Sequence, residues 1–105
     1  MDNKAILMRV KKNLIIDFTD DDGIISAYIA AAISYAESYQ HLERNYYRNN
    51  EMSETTLQGV VMLASHFYES RDGSTAGFFA NSPQAAAEVW NTVNRLLILD
   101  RDWKV

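Results

Sequence analysis

The chain has 105 residues, 48% of them apolar, and its ten basic and fourteen acidic residues give a net charge of −4. This composition excludes a disordered chain, and the length predicts one domain, residues 1–105, with a core of its own. The chain has no cysteine, which excludes disulfides and thiolate zinc sites.

The distribution of charged and apolar residues argues against membrane and nucleic-acid binding. No apolar stretch approaches the roughly 20 residues that span a bilayer, and the first residues lack a signal-peptide pattern. Basic residues are scattered, and only Arg9, Lys11 and Lys12 lie close together, whereas binding to phosphates needs clustered cations. We expect a soluble intracellular protein without membrane contact.

The first half of the chain predicts two helices separated by an acidic turn. Apolar residues at helical spacing predict a first helix over 4–14. Residues 17–23, DFTDDDG, form the turn, whose carboxylates favour the beginning of a helix. A long stripe then predicts a second helix over 21–47, with tyrosines at five positions: Tyr28, Tyr35, Tyr39, Tyr46 and Tyr47.

The second half predicts two more helices. Ser53 is a good cap for a third helix over 54–71, and Ser82 followed by Pro83 predicts the beginning of a fourth over 83–98. The pattern predicts an all-α, small four-helix bundle-like subunit with a long loop between the last two helices. We expect the following residues in the core: Leu57, Val60, Ala64, Phe67, Val89, Trp90 and Val93.

The acidic turn resembles a calcium loop only superficially. If Gly23 takes the sixth position of an EF-hand loop, Phe18 and Ile29 fall where the first and last ligands belong, so both are missing. We therefore interpret the turn as a helix cap and predict no metal site.

The only histidines are His41 and His66, and Glu69 follows His66 by nearly one helical turn. A His–Glu pair could exchange protons, but no nucleophile in a glycine-flanked turn and no phosphate-binding loop accompanies it. We predict no catalytic residue and no cofactor. An enzyme function would gain support only if His66 and Glu69 lined a pocket.

Several aromatic residues leave two interpretations open. Tyr46 and Tyr47 fit either a core edge or an assembly surface, since tyrosine is common in both. The loop over 72–82 carries Phe78 and Phe79, and the last residues carry Trp103. These three side chains either pack on the bundle or anchor another chain.

The stretch ASHFYESR, residues 64–71, together with the Asp-rich turn before a long helix, resembles the head–tail connector (adaptor) proteins of long-tailed bacteriophages and prophages. These are also described as phage DNA packaging proteins. In that family the third helix ends with a His, an aromatic pair and Glu-x-Arg, which here are His66, Phe67, Tyr68, Glu69 and Arg71. The segment VNRLLILDRDWKV fits the family's usual ending only loosely.

The resemblance implies a structural, non-enzymatic subunit of the virion. Such subunits would form a dodecameric ring below the portal protein, extend the DNA channel without binding DNA specifically, and dock a head-completion (stopper) or tail protein. Assembly would take place in the host bacterial cytoplasm. The residues expected at the contacts with partners or with other copies are His66, Glu69, Arg71, Phe78, Phe79 and Trp103.

A small helical protein-binding module with a regulatory role is the alternative. Composition does not separate the two functions. Self-association does, because a ring subunit needs two different complementary faces.

Overall fold

The computed structural model describes residues 3–70 and 83–101. Within these ranges the chain is all-α, as predicted, and no residue is in a strand. The helices are α1 (Asn3–Leu14), α2 (Asp22–Tyr39), α3 (Tyr46–Asn49), α4 (Glu54–Glu69) and α5 (Pro83–Leu97), and a 3₁₀ turn (Ile98–Asp100) follows α5.

Helix α4 is the centre of the bundle and packs against α1, α2 and α5. Its sequence explains this position, because apolar and small residues occupy nearly its whole circumference and most of them are buried. Gly59 sets the spacing to α5, since a Cβ atom at this position would lie 3.1 Å from Cδ2 of Leu97. The buried apolar residues of the core are Ile6, Val10, Ile25, Ile29, Ala32, Ala36, Leu57, Val60, Val61, Leu63, Ala64, Tyr68, Val93 and Leu97.

Of the three predicted caps, Ser82 lies outside the described residues, and the other two behave differently. Ser53 caps α4 as predicted, and its hydroxyl accepts the N–H of Thr56 at 3.2 Å. Asp21 is the residue before α2, but its carboxylate makes no capping bond and instead accepts the hydroxyl of Tyr68. Asp22 stands in the first turn of α2, where the helix dipole favours a carboxylate, and pairs with Lys11 at 2.7 Å.

The prediction of one helix over 21–47 is wrong. Helix α2 ends at Tyr39, and α3 is a separate helix. His41 and Asn45 take positive φ angles of 61° and 66°, which an α-helix does not contain. The buried carboxylate of Glu37 holds the new direction by accepting the N–H groups of Asn45 and Tyr47.

Three of the residues predicted for the core are buried less than expected. Leu57, Val60, Ala64 and Val93 are buried, but Phe67, Val89 and Trp90 are only half-buried and pack against the edge of the core. The three lie towards the side of the bundle where α4 ends and α5 begins.

Candidate assembly surfaces

His66 and Glu69, the predicted contact residues that the structure describes, lie in the last two turns of α4. Only 8% of His66 is exposed, and its ring centroid is 6.2 Å from Trp90 and 6.5 Å from Phe67. Burial lowers the pKa of His66, and the neighbouring charge of Glu69 opposes this shift in part. His66 is therefore a neutral packing residue with little surface, and Glu69 is half-buried.

His66 and Glu69 do line one shallow groove, together with Asn13, Gln58, Met62, Ser65 and Val89. The only hydroxyl in this set belongs to Ser65, which donates to the carbonyl of Val61 at 2.7 Å and accepts from the amide of Asn13 at 2.9 Å. A hydroxyl whose proton is held by a helix carbonyl is not positioned to transfer it to His66. The groove therefore has the pair that an enzyme would need and lacks an activated nucleophile.

A seam of half-buried aromatic rings follows the junction of α2, α4 and α5. Phe67 lies 6.0 Å from Tyr28 and 6.1 Å from Trp90, and Trp90 lies 5.2 Å from Tyr35. These distances fall in the range of favourable aromatic pairs. The hydroxyl of Tyr35 donates to Asn94 at 2.6 Å, while burial raises the pKa of Tyr35.

A second cluster, which we call the polar hub, ties α2 to the beginning of α4 and the end of α5. Its centre is Gln40, which is fully buried. The side-chain amide of Gln40 donates to the hydroxyl of Thr56 and to the carbonyl of Leu97, both at 2.8 Å, and its oxygen accepts the hydroxyl of Tyr47. Both N–H groups of this amide and its oxygen thus have partners inside the protein.

Asp100 completes the polar hub from the 3₁₀ turn. Its carboxylate accepts the hydroxyl of Thr56 at 2.6 Å and that of Ser53. The pKa of Tyr47 is raised, mainly by burial. Of the two interpretations of Tyr46 and Tyr47, the core edge fits Tyr47, whose hydroxyl points to Gln40; Tyr46 packs edge-on against it at 5.2 Å and is half-buried.

Exposed large apolar residues mark two further places on the surface. Four of them belong to α1, the α1–α2 turn and the first turn of α2: Met8, Ile15, Phe18 and Ile24. The fifth is Leu99, in the 3₁₀ turn. Ile15 is the most exposed, at 91%, and has a positive φ of 58°, which is rare for a β-branched residue.

Sequence reasoning missed these residues and the polar hub. A signal for Ile15 exists in the run LII at 14–16, because three consecutive apolar residues at a helix end cannot all face the same core. The polar hub has no comparable signal, since Gln40 and Asp100 are separated by sixty positions and resemble ordinary surface residues in the sequence.

The other predicted contact residues, Arg71, Phe78, Phe79 and Trp103, lie outside the described residues. Among residues 3–70 and 83–101, no group of three or more His, Asp or Glu side chains could hold a metal ion. None of the helices described here has the length and apolar character needed to cross a membrane.

Comparison with known protein families gives a match over most of the chain. The family model of the phage gp6-like head-tail connector proteins matches residues 4–92, most of the chain. The chain belongs to this family. No curated protein matches the chain, and no solved structure does.

Family membership confirms the resemblance on which the functional prediction depends. The match includes α1 to α4 and the first ten residues of α5. It does not reach the 3₁₀ turn or Asp100, which complete the polar hub. The chain is thus a member of a structural phage protein family, and its last thirteen residues extend beyond the matched region.

Proposed function

We propose that the chain is the subunit of a homo-oligomeric ring, dodecameric in the particle, at the head–tail interface of a bacteriophage. The ring lies below the portal protein, extends the DNA channel, and docks a head-completion (stopper) or tail protein. It assembles in the host bacterial cytoplasm and remains in the virion. The observation that carries this proposal is the family match over residues 4–92.

Two physical features support a structural role. The core joins α4 to α1, α2 and α5, so the subunit has a fixed shape on which contact surfaces can be held. The net charge of −4 disfavours retention of DNA phosphates, which suits a channel through which DNA passes without specific binding.

The residues proposed for contact with partners are those of the predicted set. Phe78, Phe79 and Trp103 are large apolar side chains of the kind that dominate binding energy at protein interfaces. Arg71 and Glu69 supply charges that can pair across a contact. Most of the surface of His66 is buried, so it contributes to this set by packing against the residues around it.

Negative-stain microscopy of the purified protein, alone and mixed with the portal protein of the same phage, tests the proposal. We expect rings in at least the mixed sample. Trp103→Ala and the double variant Phe78→Ala, Phe79→Ala should melt like the wild type and fail to form these rings. A protein that stays monomeric in both samples would contradict the ring and favour the small protein-binding module.

A further inference from the structure

Two turns that carry exposed apolar residues, the α1–α2 turn and the 3₁₀ turn, lie at opposite ends of α4. Asn13 donates to Ser65 at 2.9 Å and Tyr68 donates to Asp21, which places the α1–α2 turn beside the C-terminal half of α4. The contact of 2.6 Å between Thr56 and Asp100 places the 3₁₀ turn beside its N-terminal end. With 16 residues, α4 separates these two turns by roughly 20 Å at about 1.5 Å per residue.

At the first place, α1 and the turn form a groove with cations at its edges, which we call the α1 groove. It is lined by Met8, Arg9, Lys11, Lys12, Ile16 and Asp17, and has a volume of about 370 Å³. Three of these side chains are cationic and one is anionic. Within the subunit Lys11 pairs with Asp22 at 2.7 Å and Arg9 with Glu54 at 3.5 Å, so Lys12 is the cation of the groove that can pair with another chain. Helix α1 carries four of the ten basic residues and no acidic one, which leaves six basic against fourteen acidic residues in the rest of the chain.

At the second place, an exposed leucine has carboxylates around it. Leu99 is 68% exposed and precedes Asp100, which is also exposed. Glu51 is exposed and lies two positions before Ser53, whose hydroxyl donates to Asp100. We call Glu51, Leu99 and Asp100 the Leu99 shoulder. It combines an apolar centre with negative charge, the complement of the α1 groove.

Ile15 precedes Ile16 at the edge of the α1 groove. Its conformation and its exposure do not contribute to the stability of the subunit. Its left-handed backbone, with φ of 58°, strains a β-branched residue, and its side chain is 91% exposed. Within the subunit, therefore, Ile15 combines a strained backbone with very little burial. Backbone strain of this kind is concentrated at functional sites, and exposed apolar groups that lie together mark interaction surfaces.

We propose that the α1 groove of one copy receives the Leu99 shoulder of a second copy. Apolar side chains meet at the centre, and Lys12, which is exposed, faces the carboxylates of the shoulder. Because the two surfaces differ, each copy binds one neighbour through each of them, which is the heterologous contact of a ring or filament. The inference rests on the proposed function, and it assigns the interface between neighbouring copies in the proposed ring.

A second copy fits the groove better than nucleic acid does. DNA phosphates would pair with Lys12, but they leave the exposed side chains of Met8 and Ile15 without an apolar partner. The Leu99 shoulder satisfies both the charge and the apolar surface.

The absence of cysteine from the chain permits a direct test by disulfide trapping. Met8→Cys and Leu99→Cys proteins are mixed in equal amounts and oxidised mildly. We expect the mixed dimer to exceed clearly the half share that random pairing gives. Thr92→Cys, at an exposed position of α5 outside both surfaces, replaces either partner as the control and should give only the random share.

Sedimentation velocity over a concentration series provides the second measurement. Lys12→Glu should raise the dissociation constant of self-association, on the order of tenfold, and Glu51→Lys should restore association when mixed with it. Ile15→Gly should weaken association without lowering the melting temperature, because glycine adopts a positive φ without a Cβ clash. The last result separates a contact residue from a folding residue.

The outcomes distinguish this inference from the ring itself. If the wild type associates but the cross-links are random and the variants sediment like the wild type, the assigned surfaces are wrong. The ring itself is not contradicted by that result. A wild type that stays monomeric at every concentration, and also when mixed with the portal protein, overturns both. Random cross-links in a ring that forms only with the portal protein overturn the assigned surfaces alone. Binding of a DNA duplex that Lys12→Glu abolishes, with random cross-links, would assign the α1 groove to nucleic acid and overturn the inference.

Discussion

The two ends of α4 are held in place by different kinds of contact. At its N-terminal end the polar hub joins Gln40, Thr56 and Asp100 through directional hydrogen bonds, with Gln40 fully buried. At its C-terminal end the aromatic seam brings Phe67 and Trp90 together at 6.1 Å, and both are half-buried. One end depends on hydrogen-bond partners and the other on contact area.

The two kinds of contact differ in how much change they tolerate. A buried polar atom that loses its partner retains the cost of its desolvation, so the polar hub depends on every member. Aromatic packing is less directional, and a half-buried ring can shift or be replaced by another apolar side chain at moderate cost. We therefore expect the N-terminal end of α4 to be the less tolerant of the two.

The largest expected effect is that of Gln40→Ala. The substitution leaves the carbonyl of Leu97 and the hydroxyls of Thr56 and Tyr47 without the amide and opens a cavity between α2 and α4. We expect the free energy of unfolding to fall by about 3 kcal/mol. Urea denaturation at neutral pH measures this change.

Gln58→Ala is the matched control, because Gln58 is an exposed glutamine of α4. Its effect should stay within about 0.5 kcal/mol. Equal losses in the two variants would mean that the polar hub contributes nothing beyond ordinary helix contacts, and the contrast between the two ends would disappear.

An intermediate effect is expected from Phe67→Ala in the aromatic seam. Removal of a fully buried phenylalanine costs about 3–5 kcal/mol, but Phe67 is only half-buried, so we expect a loss of about 2 kcal/mol. Phe67→Leu should recover most of it, since an apolar side chain of similar volume can repack. A loss as large as that of Gln40→Ala would show that the seam is as intolerant as the polar hub.

The smallest effect concerns the pH dependence contributed by His66. Its pKa in the folded protein is lowered by burial, so the unfolded chain takes up the proton first as the pH falls below about 6.5, the ordinary value. Stability should therefore decrease as the pH falls below about 6.5, and His66→Gln should remove this part of the decrease. The same titration on His41→Gln separates the two histidines, and a slope unchanged by His66→Gln would contradict the prediction.

Much of the fold could be predicted from local patterns. The beginning of α4 at Ser53 follows from a capping residue before an apolar run, and α1 and α5 follow from helical spacing. The end of α2 could not be predicted this way. No glycine or proline separates Tyr39 from Tyr46, and the break depends on Glu37, a buried carboxylate bound to backbone N–H groups eight and ten residues later.

The candidate surfaces, too, were predictable from the sequence only where neighbouring residues carry the signal. The family could be identified from ASHFYESR and the Asp-rich turn, because those residues are neighbours in the sequence. The amphipathic pattern of α4 does not reveal that His66 is mostly covered by aromatic rings, since its neighbour Trp90 comes from another helix. The exposure of Ile15 depends on a single backbone angle, which spacing rules do not predict.

The bond from Gln40 to the carbonyl of Leu97 spans 57 positions of the chain, and this has a consequence for synthesis on the ribosome. Helices α1 to α4 emerge from the exit tunnel before α5 does, so for that interval the amide of Gln40 lacks one of its acceptors. During the same interval the hydroxyl of Thr56, in the first turn of α4, lacks its acceptor on Asp100. The surface of α4 that α5 covers in the folded subunit is exposed to water. The nascent subunit therefore reaches its full stability only when the residues around Leu97 have emerged and packed against α4.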